Sequence, residues 1–319
     1  MSAPSDHLFL PRGFRFAGVS AGIKVKPNTR DVTLIVTDGP ATAAGVYTQN
    51  QVVAAPVVLC RQRTPMANAR GVVVNSGNAN ACTGVRGDED AAAMCQLAAE
   101  ATGSAAEQIN AEQFLVMSTG VIGRPMPMDK VRTGIQHAAK ELAVGDSAFL
   151  NAADGILTTD QGRKITTREC EIGGRTIRIA GMAKGAGMIG PNMATMLCCV
   201  LTDAAITPAD AQQLLLEAAN RSFNNISVEG HTSTNDTMLL LASGQAEGSE
   251  SAGPLTTAEL PQFAEHLQAM CIELAKQIPT DGEGATHLIE VRVTGAPSDA
   301  DARRISTTVA SSNLVKTAV

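Results

Sequence analysis

Short β-branched apolar runs alternate with amphipathic stretches along the first third of the chain. Residues 32–36 (Val-Thr-Leu-Ile-Val) and 71–74 (Gly-Val-Val-Val) read as buried strands ended by turn residues. The second runs into Asn75-Ser76-Gly77-Asn78-Ala79-Asn80, a polar small-residue stretch that reads as a loop, able to bring backbone close to a ligand. An Ala-rich stretch over 88–102, closed by Gly103, predicts a helix. Residues 114–117 predict a strand leading into Ser118-Thr119-Gly120-Val121-Ile122-Gly123, and 127–144 a helix with Asp129 near its positive end.

The middle of the chain predicts a hairpin, 164–172 and 175–180, turning at Gly173-Gly174. The apolar run 195–201 suits a buried strand. Thr207-Pro208 opens a helix to Arg221, with Thr as N-cap and Pro at the first helical position. Strands over 237–242 and 288–293 flank a long helix over 256–278, and a last helix starts at Pro297 and runs to Val319. The mixture fits α/β or α+β, and patterning does not choose between them.

Composition narrows the function classes. The 319 residues carry a formal charge of −6, which disfavours a polyanion partner, and an aromatic content of 3%, which disfavours base-stacking platforms. No apolar run has the length of a membrane span and no import or secretory segment is visible, so a cytoplasmic protein is expected. Seven scattered cysteines with no CxxC pair read as reduced thiols, and no metal site is expected.

The most unusual stretch is Lys184-Gly185-Ala186-Gly187-Met188-Ile189-Gly190-Pro191-Asn192-Met193-Ala194-Thr195-Met196-Leu197. Three readings compete. Gly185, Gly187 and Gly190 satisfy G-x-G-x-x-G, but a dinucleotide site needs a helix opening there, and Pro191 and an apolar run follow instead. A plain glycine turn entering a core strand is the second reading. In the third, Thr195 is a nucleophile. A Thr hydroxyl needs an adjacent base, and a chain that cuts itself before the Thr supplies one as the new α-amine. A Gly/Pro/Asn-rich approach permits the crowding that such a cut requires.

This stretch closely resembles the self-processing segment of the ornithine acetyltransferase (glutamate N-acetyltransferase) family. Further matches follow in family order: Ala41-Thr42-Ala43-Ala44-Gly45-Val46, 74–84, 118–123, Ser227-Val228-Glu229-Gly230 with Thr232-Ser233-Thr234-Asn235-Asp236-Thr237, and Asp281-Gly282-Glu283-Gly284-Ala285-Thr286. The resemblance implies an α/β (α+β) layered α-β-β-α sandwich. It implies cleavage between Ala194 and Thr195 into an α chain, 1–194, and a β chain, 195–319, assembled as α2β2. Thr195 would take the acetyl group of N-acetylornithine and pass it to glutamate. Thr119 and Gly120 match the family's oxyanion-hole pair. Lys184 and Glu283 match substrate contacts, and Thr158 and Thr159 a further substrate-binding motif in which either Thr can face the ligand. No bound cofactor is implied, and some members also take acetyl-CoA as donor. His231 stands where other members can carry Asp, and as a loop residue it is given no catalytic role. Family members continue beyond the point matching 312–319, so the resemblance implies a shortened member or a fragment. Rival readings are an inactive homologue, an aminopeptidase-like N-terminal-nucleophile hydrolase and a nicotinamide enzyme.

Overall fold

The computed structural model describes residues 7–104, 107–190, 196–248 and 253–319. Eight strands hydrogen-bond into one continuous sheet: β1 (Phe14–Val19), β2 (Val32–Tyr47), β3 (Met66–Asn78), β4 (Phe114–Val121), β5 (Lys164–Ile172), β6 (Arg175–Lys184), β7 (Leu197–Thr202) and β8 (Thr237–Ala242). The order is β4-β3-β2-β8-β7-β6-β5, with β1 on β2. Strand β2 makes this possible. Its first half pairs antiparallel with β1 and β3, its register breaks between Val36 and Ala41, and its second half pairs antiparallel with β8. The break coincides with Asp38-Gly39-Pro40, which cannot continue a regular central ladder.

The helices are α1 (Ala55–Arg63), α2 (Gly84–Thr102), α3 (Met128–Lys140), α4 (Asp146–Gly155), α5 (Pro208–Arg221), α6 (Leu260–Thr280), α7 (Asp299–Ala310) and α8 (Asn313–Thr317). Alternation along β7 and β8 builds the layers. Cys198, Val200, Met238 and Leu240 join a core with Leu215 of α5 and Phe263, Leu267 and Leu274 of α6. Leu197, Cys199, Leu201, Leu239 and Leu241 face the other way, into a core shared with Leu34, Val72, Leu115, Met94 and Phe149. The sheet bent at β2 thus lies on itself, with helices outside, in the expected α-β-β-α sandwich. No described helix is long and apolar enough to cross a membrane.

The Gly-Gly hairpin, β8 and α5 form as the sequence predicts, and the Thr207 hydroxyl caps α5 by accepting from Asp210 N–H. Several expectations need correction. Residues 75–78 and 118–121 are not loops but the ends of β3 and β4, held in strand by their parallel pairing. Residues 288–293 are not a strand, because they meet no pairing partner among the described residues and leave Leu288 47% exposed. The last helix breaks in two at Ser312, whose hydroxyl accepts from Val315 N–H and starts α8 afresh. Strand β1 and helices α1 and α4 were not expected.

Candidate active site

Thr119 and Gly120 lie near the end of β4, opposite Ser76 and Gly77 of β3. The Thr119 side chain is buried, and Gly120 has φ +132, where a Cβ would stand 2.3 Å from the Gly77 carbonyl carbon. Only glycine allows the two backbones this approach, and it leaves the strand end clear of side-chain bulk.

Lys184 ends β6, where it pairs with Leu197 of β7, and its Nζ donates to Thr119 Oγ1 at 3.2 Å. The glycine stretch leaves from this point. The lysine is 2% exposed, shielded rather than presented to solvent, and burial pushes its ammonium below the ordinary lysine range, partly offset by Asp160. With one lone pair taken by the ammonium, the Thr119 hydroxyl keeps its own proton to donate.

A buried ionic cluster fixes this arrangement. Asp160 Oδ1 accepts from Gly185 N–H at 2.7 Å and from Lys164 Nζ at 2.7 Å, and Oδ2 accepts from Thr158 N–H at 2.9 Å. Burial raises the affinity of this carboxyl for a proton, but Lys184 and Lys164 outweigh it and hold Asp160 below the usual carboxylate range. Lys164 also reaches Asp281 at the end of α6, which accepts from Gln161 N–H at 3.0 Å. The loop after α6 is thereby tied to the start of the glycine stretch. Glu283 N–H donates to Ala186 O at 2.9 Å, and its carboxylate lies so close to Gly187 that a Cβ there would stand 3.0 Å from it.

The structure therefore sets Lys184 against Thr119 beside Gly120, and ties Glu283 to the glycine stretch that follows Lys184. Thr158 turns its N–H and hydroxyl towards Asp160, whereas Thr159 is exposed. Ala194 and Thr195 lie outside the described residues. The dinucleotide reading lacks its helix: the first element after the glycines is strand β7. His231 is exposed, 3.5 Å from Glu229. The six buried cysteines have thiols pushed up by burial, which suits inert core positions.

Two residues whose part was not read from the sequence complete the site. Asn235 Nδ2 donates to Ser118 O at 2.8 Å and Ala79 O at 2.6 Å, fixing the carbonyl that precedes Thr119. Its neighbour Asp236 accepts from Met196 N–H through Oδ1 at 3.1 Å. The pair bridges the end of β4 and the start of β7. Both were inside a recognisable motif, but nothing in spacing reveals which backbone groups they reach.

The layered fold is shared with solved enzymes. L-aminopeptidase D-Ala-esterase/amidase from Ochrobactrum anthropi, described as a variant of the Ntn hydrolase fold, is 12% identical with a TM-score of 0.53, over 97% of this chain and 95% of that chain, a likeness of fold alone. The sandwich thus places the chain among proteins of that layered architecture. A model of the ArgJ family matches residues 15–319, and the chain belongs to the ArgJ family. The arginine biosynthesis bifunctional protein ArgJ of Rhodopirellula baltica is 52% identical over 316 residues, 99% of this chain and 75% of the relative. That of Geobacter sulfurreducens is 49% identical over 313 residues, 96% and 76%. The crystal structure of ornithine acetyltransferase from Mycobacterium tuberculosis, complexed with ornithine, is 35% identical with a TM-score of 0.52, covering 61% of this chain and 98% of that chain.

Proposed function

We infer that the chain is a glutamate N-acetyltransferase of arginine biosynthesis, which moves an acetyl group from N-acetylornithine to glutamate through an acetyl ester on Thr195. The observation that carries the mechanism is the 3.2 Å contact between Lys184 Nζ and Thr119 Oγ1, where the glycine stretch starts beside the end of β4. Family membership carries the substrates.

Self-cleavage between Ala194 and Thr195 would divide the chain into pieces 1–194 and 195–319 and free the Thr195 α-amine. At a pKa of about 7.7–8.0 that amine suits a general base at neutral pH. It takes the Thr195 hydroxyl proton as the oxygen attacks the acetyl carbonyl. The Thr119 hydroxyl and Gly120 N–H donate to the oxyanion, and collapse returns the proton to the departing amine of ornithine. Glutamate then enters and its amine takes the acetyl group by the same steps in reverse. Glu283 suits the side-chain ammonium of ornithine. The N–H groups that Lys184 does not give to Thr119 suit a substrate carboxylate, and exposed Thr159 can face the same ligand. Acetyl-CoA as an alternative donor, an α2β2 assembly and a cytoplasmic location belong to the same proposal, with no bound cofactor.

Intact mass and kinetics test it together. Two pieces meeting at Ala194/Thr195, with double-reciprocal lines that stay parallel as glutamate is varied, are expected. Release of free acetate without transfer to glutamate would favour a hydrolase instead. Removing one oxyanion donor by Thr119→Val is expected to lower kcat about 10²–10³-fold with little change in KM. Thr119→Ser should recover most of the loss, and equal rates for both variants would remove Thr119 from the mechanism.

A further inference from the structure

The loop between β1 and β2 carries a lysine that the acetyl-transfer scheme leaves unused. The main chain at Lys24 packs onto the end of β3: a Cβ on Gly77 would stand 2.8 Å from Ile23 Cγ2 and 3.2 Å from Lys24 N. Gly77 opposes Gly120 across the parallel ladder, and the adjoining rung is Ser76 with Thr119. The loop therefore lies against the strand ends that carry Thr119 and Gly120.

Its course is fixed from several sides. Asp31, wholly buried, accepts from Ala21 N–H at 2.6 Å through Oδ1, and from Ile23 N–H at 2.6 Å and Lys24 N–H at 3.0 Å through Oδ2. The Asp31 carbonyl accepts from Ser76 N–H at 2.9 Å, and Lys130 Nζ of α3 donates to Gly22 O at 2.6 Å. The half-buried Lys24 side chain donates from Nζ to Arg30 O at 2.6 Å.

An ammonium has three donors, so two remain, together with the charge. Lys24 takes part in no salt bridge among the described residues. The carboxylates around it are committed elsewhere: Asp31 to backbone N–H groups, Asp154 to Arg163 and Asp160 to Lys164. Burial pushes Lys24 down to about 8, Lys184 adds to the fall, and Asp31, Asp160 and Asp154 oppose it. Two lysines thus feel each other's charge beside the end of β4. A half-buried ammonium without a counter-ion is costly, and an arriving anion relieves that cost.

The two substrates differ by one such anion. N-acetylornithine brings a carboxylate and an ammonium, for which Lys184 and Glu283 suffice. Glutamate, when its amine attacks, brings two carboxylates, and Lys184 meets one of them. We propose that Lys24 is a specificity-determining residue for the acceptor: its spare N–H groups bind the side-chain carboxylate of glutamate beside the strand ends that hold Thr119 and Gly120. The inference rests on the acetyl-transfer reading above. It gives one site two settings, in which Glu283 answers the side chain that leaves and Lys24 the side chain that enters.

The test uses the full chain with Lys24→Met and Lys24→Arg beside wild type, each first weighed intact. In a ping-pong scheme kcat/KM for each substrate reports its own half-reaction. Lys24→Met is expected to lower kcat/KM for glutamate by about ten- to a hundredfold, the scale of a lost charge-assisted contact, and to change that for N-acetylornithine by less than about threefold. Lys24→Arg should recover most of the loss. Glutamine, with an amide in place of the side-chain carboxylate, separates binding from structure: wild type should use it at least about tenfold less well than glutamate, and Lys24→Met should narrow that gap towards unity. A loss shared equally by glutamate and N-acetylornithine, or by glutamate and glutamine, would overturn the proposal. So would a wild-type enzyme with no preference for glutamate over glutamine, a result that needs no variant to fold. A wild-type chain that stays whole, or that loses acetate to water and passes none to glutamate, would overturn the acetyl-transfer reading and this inference with it, before any variant is compared.

Discussion

Thr195→Ala is expected to leave the protein as one uncut chain and to lower acetyl transfer by a factor on the order of 10⁴ or more, the scale of removing a nucleophile that acts together with its base. Both losses have one origin. The alanine has no hydroxyl to shift the preceding peptide bond to an ester, so the α-amine never appears, and the same missing oxygen would have carried the acetyl group. Thr195→Ser retains the oxygen and should cut and transfer at reduced rates. Intact mass and trapping of a labelled acetyl group on the protein read the two steps separately. Acetyl label on the Thr195→Ala chain at the wild-type level would place the nucleophile elsewhere.

Gly120→Ala is expected to act on stability as well as rate. Its Cβ would stand 2.3 Å from Gly77 C and 2.6 Å from Asn78 N, atoms of the facing backbone that no rotamer change can move aside. Overpacking of this kind costs about 1–3 kcal/mol, and alanine at φ +132 adds strain of similar size, giving a total of about 2–6 kcal/mol. The denaturant midpoint should fall with its slope unchanged. Relief of the clash must push β3 and β4 apart, which turns the residue 120 N–H away from the oxyanion, so cutting should slow even under conditions where the variant remains folded. A midpoint within experimental error of wild type would show that the strand ends are looser than this geometry.

Much of the fold was legible because local and tertiary signals agree. The hairpin at Gly173-Gly174 carries its own turn chemistry, and α5 has both its cap and its proline at the start. The full length of β2 was hidden by Asp38-Gly39-Pro40, which reads locally as a terminator but here marks the place where one strand changes partners. Helix α1 offered little apolar contrast between its faces, and α4 is short and starts from a glycine at φ +91. The reverse error occurred at 288–293, where a strong strand pattern has no ladder to join. Pattern measures what a segment can pair with, and pairing depends on the rest of the chain.

The site divides along the same line. Thr119, Gly120, Lys184 and Glu283 could be picked out because they stand in motifs that resemble those of the ornithine acetyltransferase family, and among them Lys184 meets Thr119 directly. Asp160, Asn235 and Asp236 work through backbone groups contributed by other strands. Asn235, for example, reaches Ser118, 117 residues away. No spacing rule links such positions before the parallel pairings β3–β4 and β7–β8 exist.

Strand β7 lies between β6 and β8, and β8 pairs with the second half of β2. The boundary between Ala194 and Thr195 therefore falls between strands that are neighbours in one ladder, and neither piece contains a complete sheet. If the chain is cut there as proposed, the polypeptide would have to be assembled before it is divided, and the β6–β7 and β7–β8 hydrogen bonds would hold the pieces together. Scission would then serve as a proofreading step. On the self-cleaving reading proposed above, a misfolded molecule would never gain the amine and would stay inert, whereas each cut molecule would have shown that its two halves met in the right register.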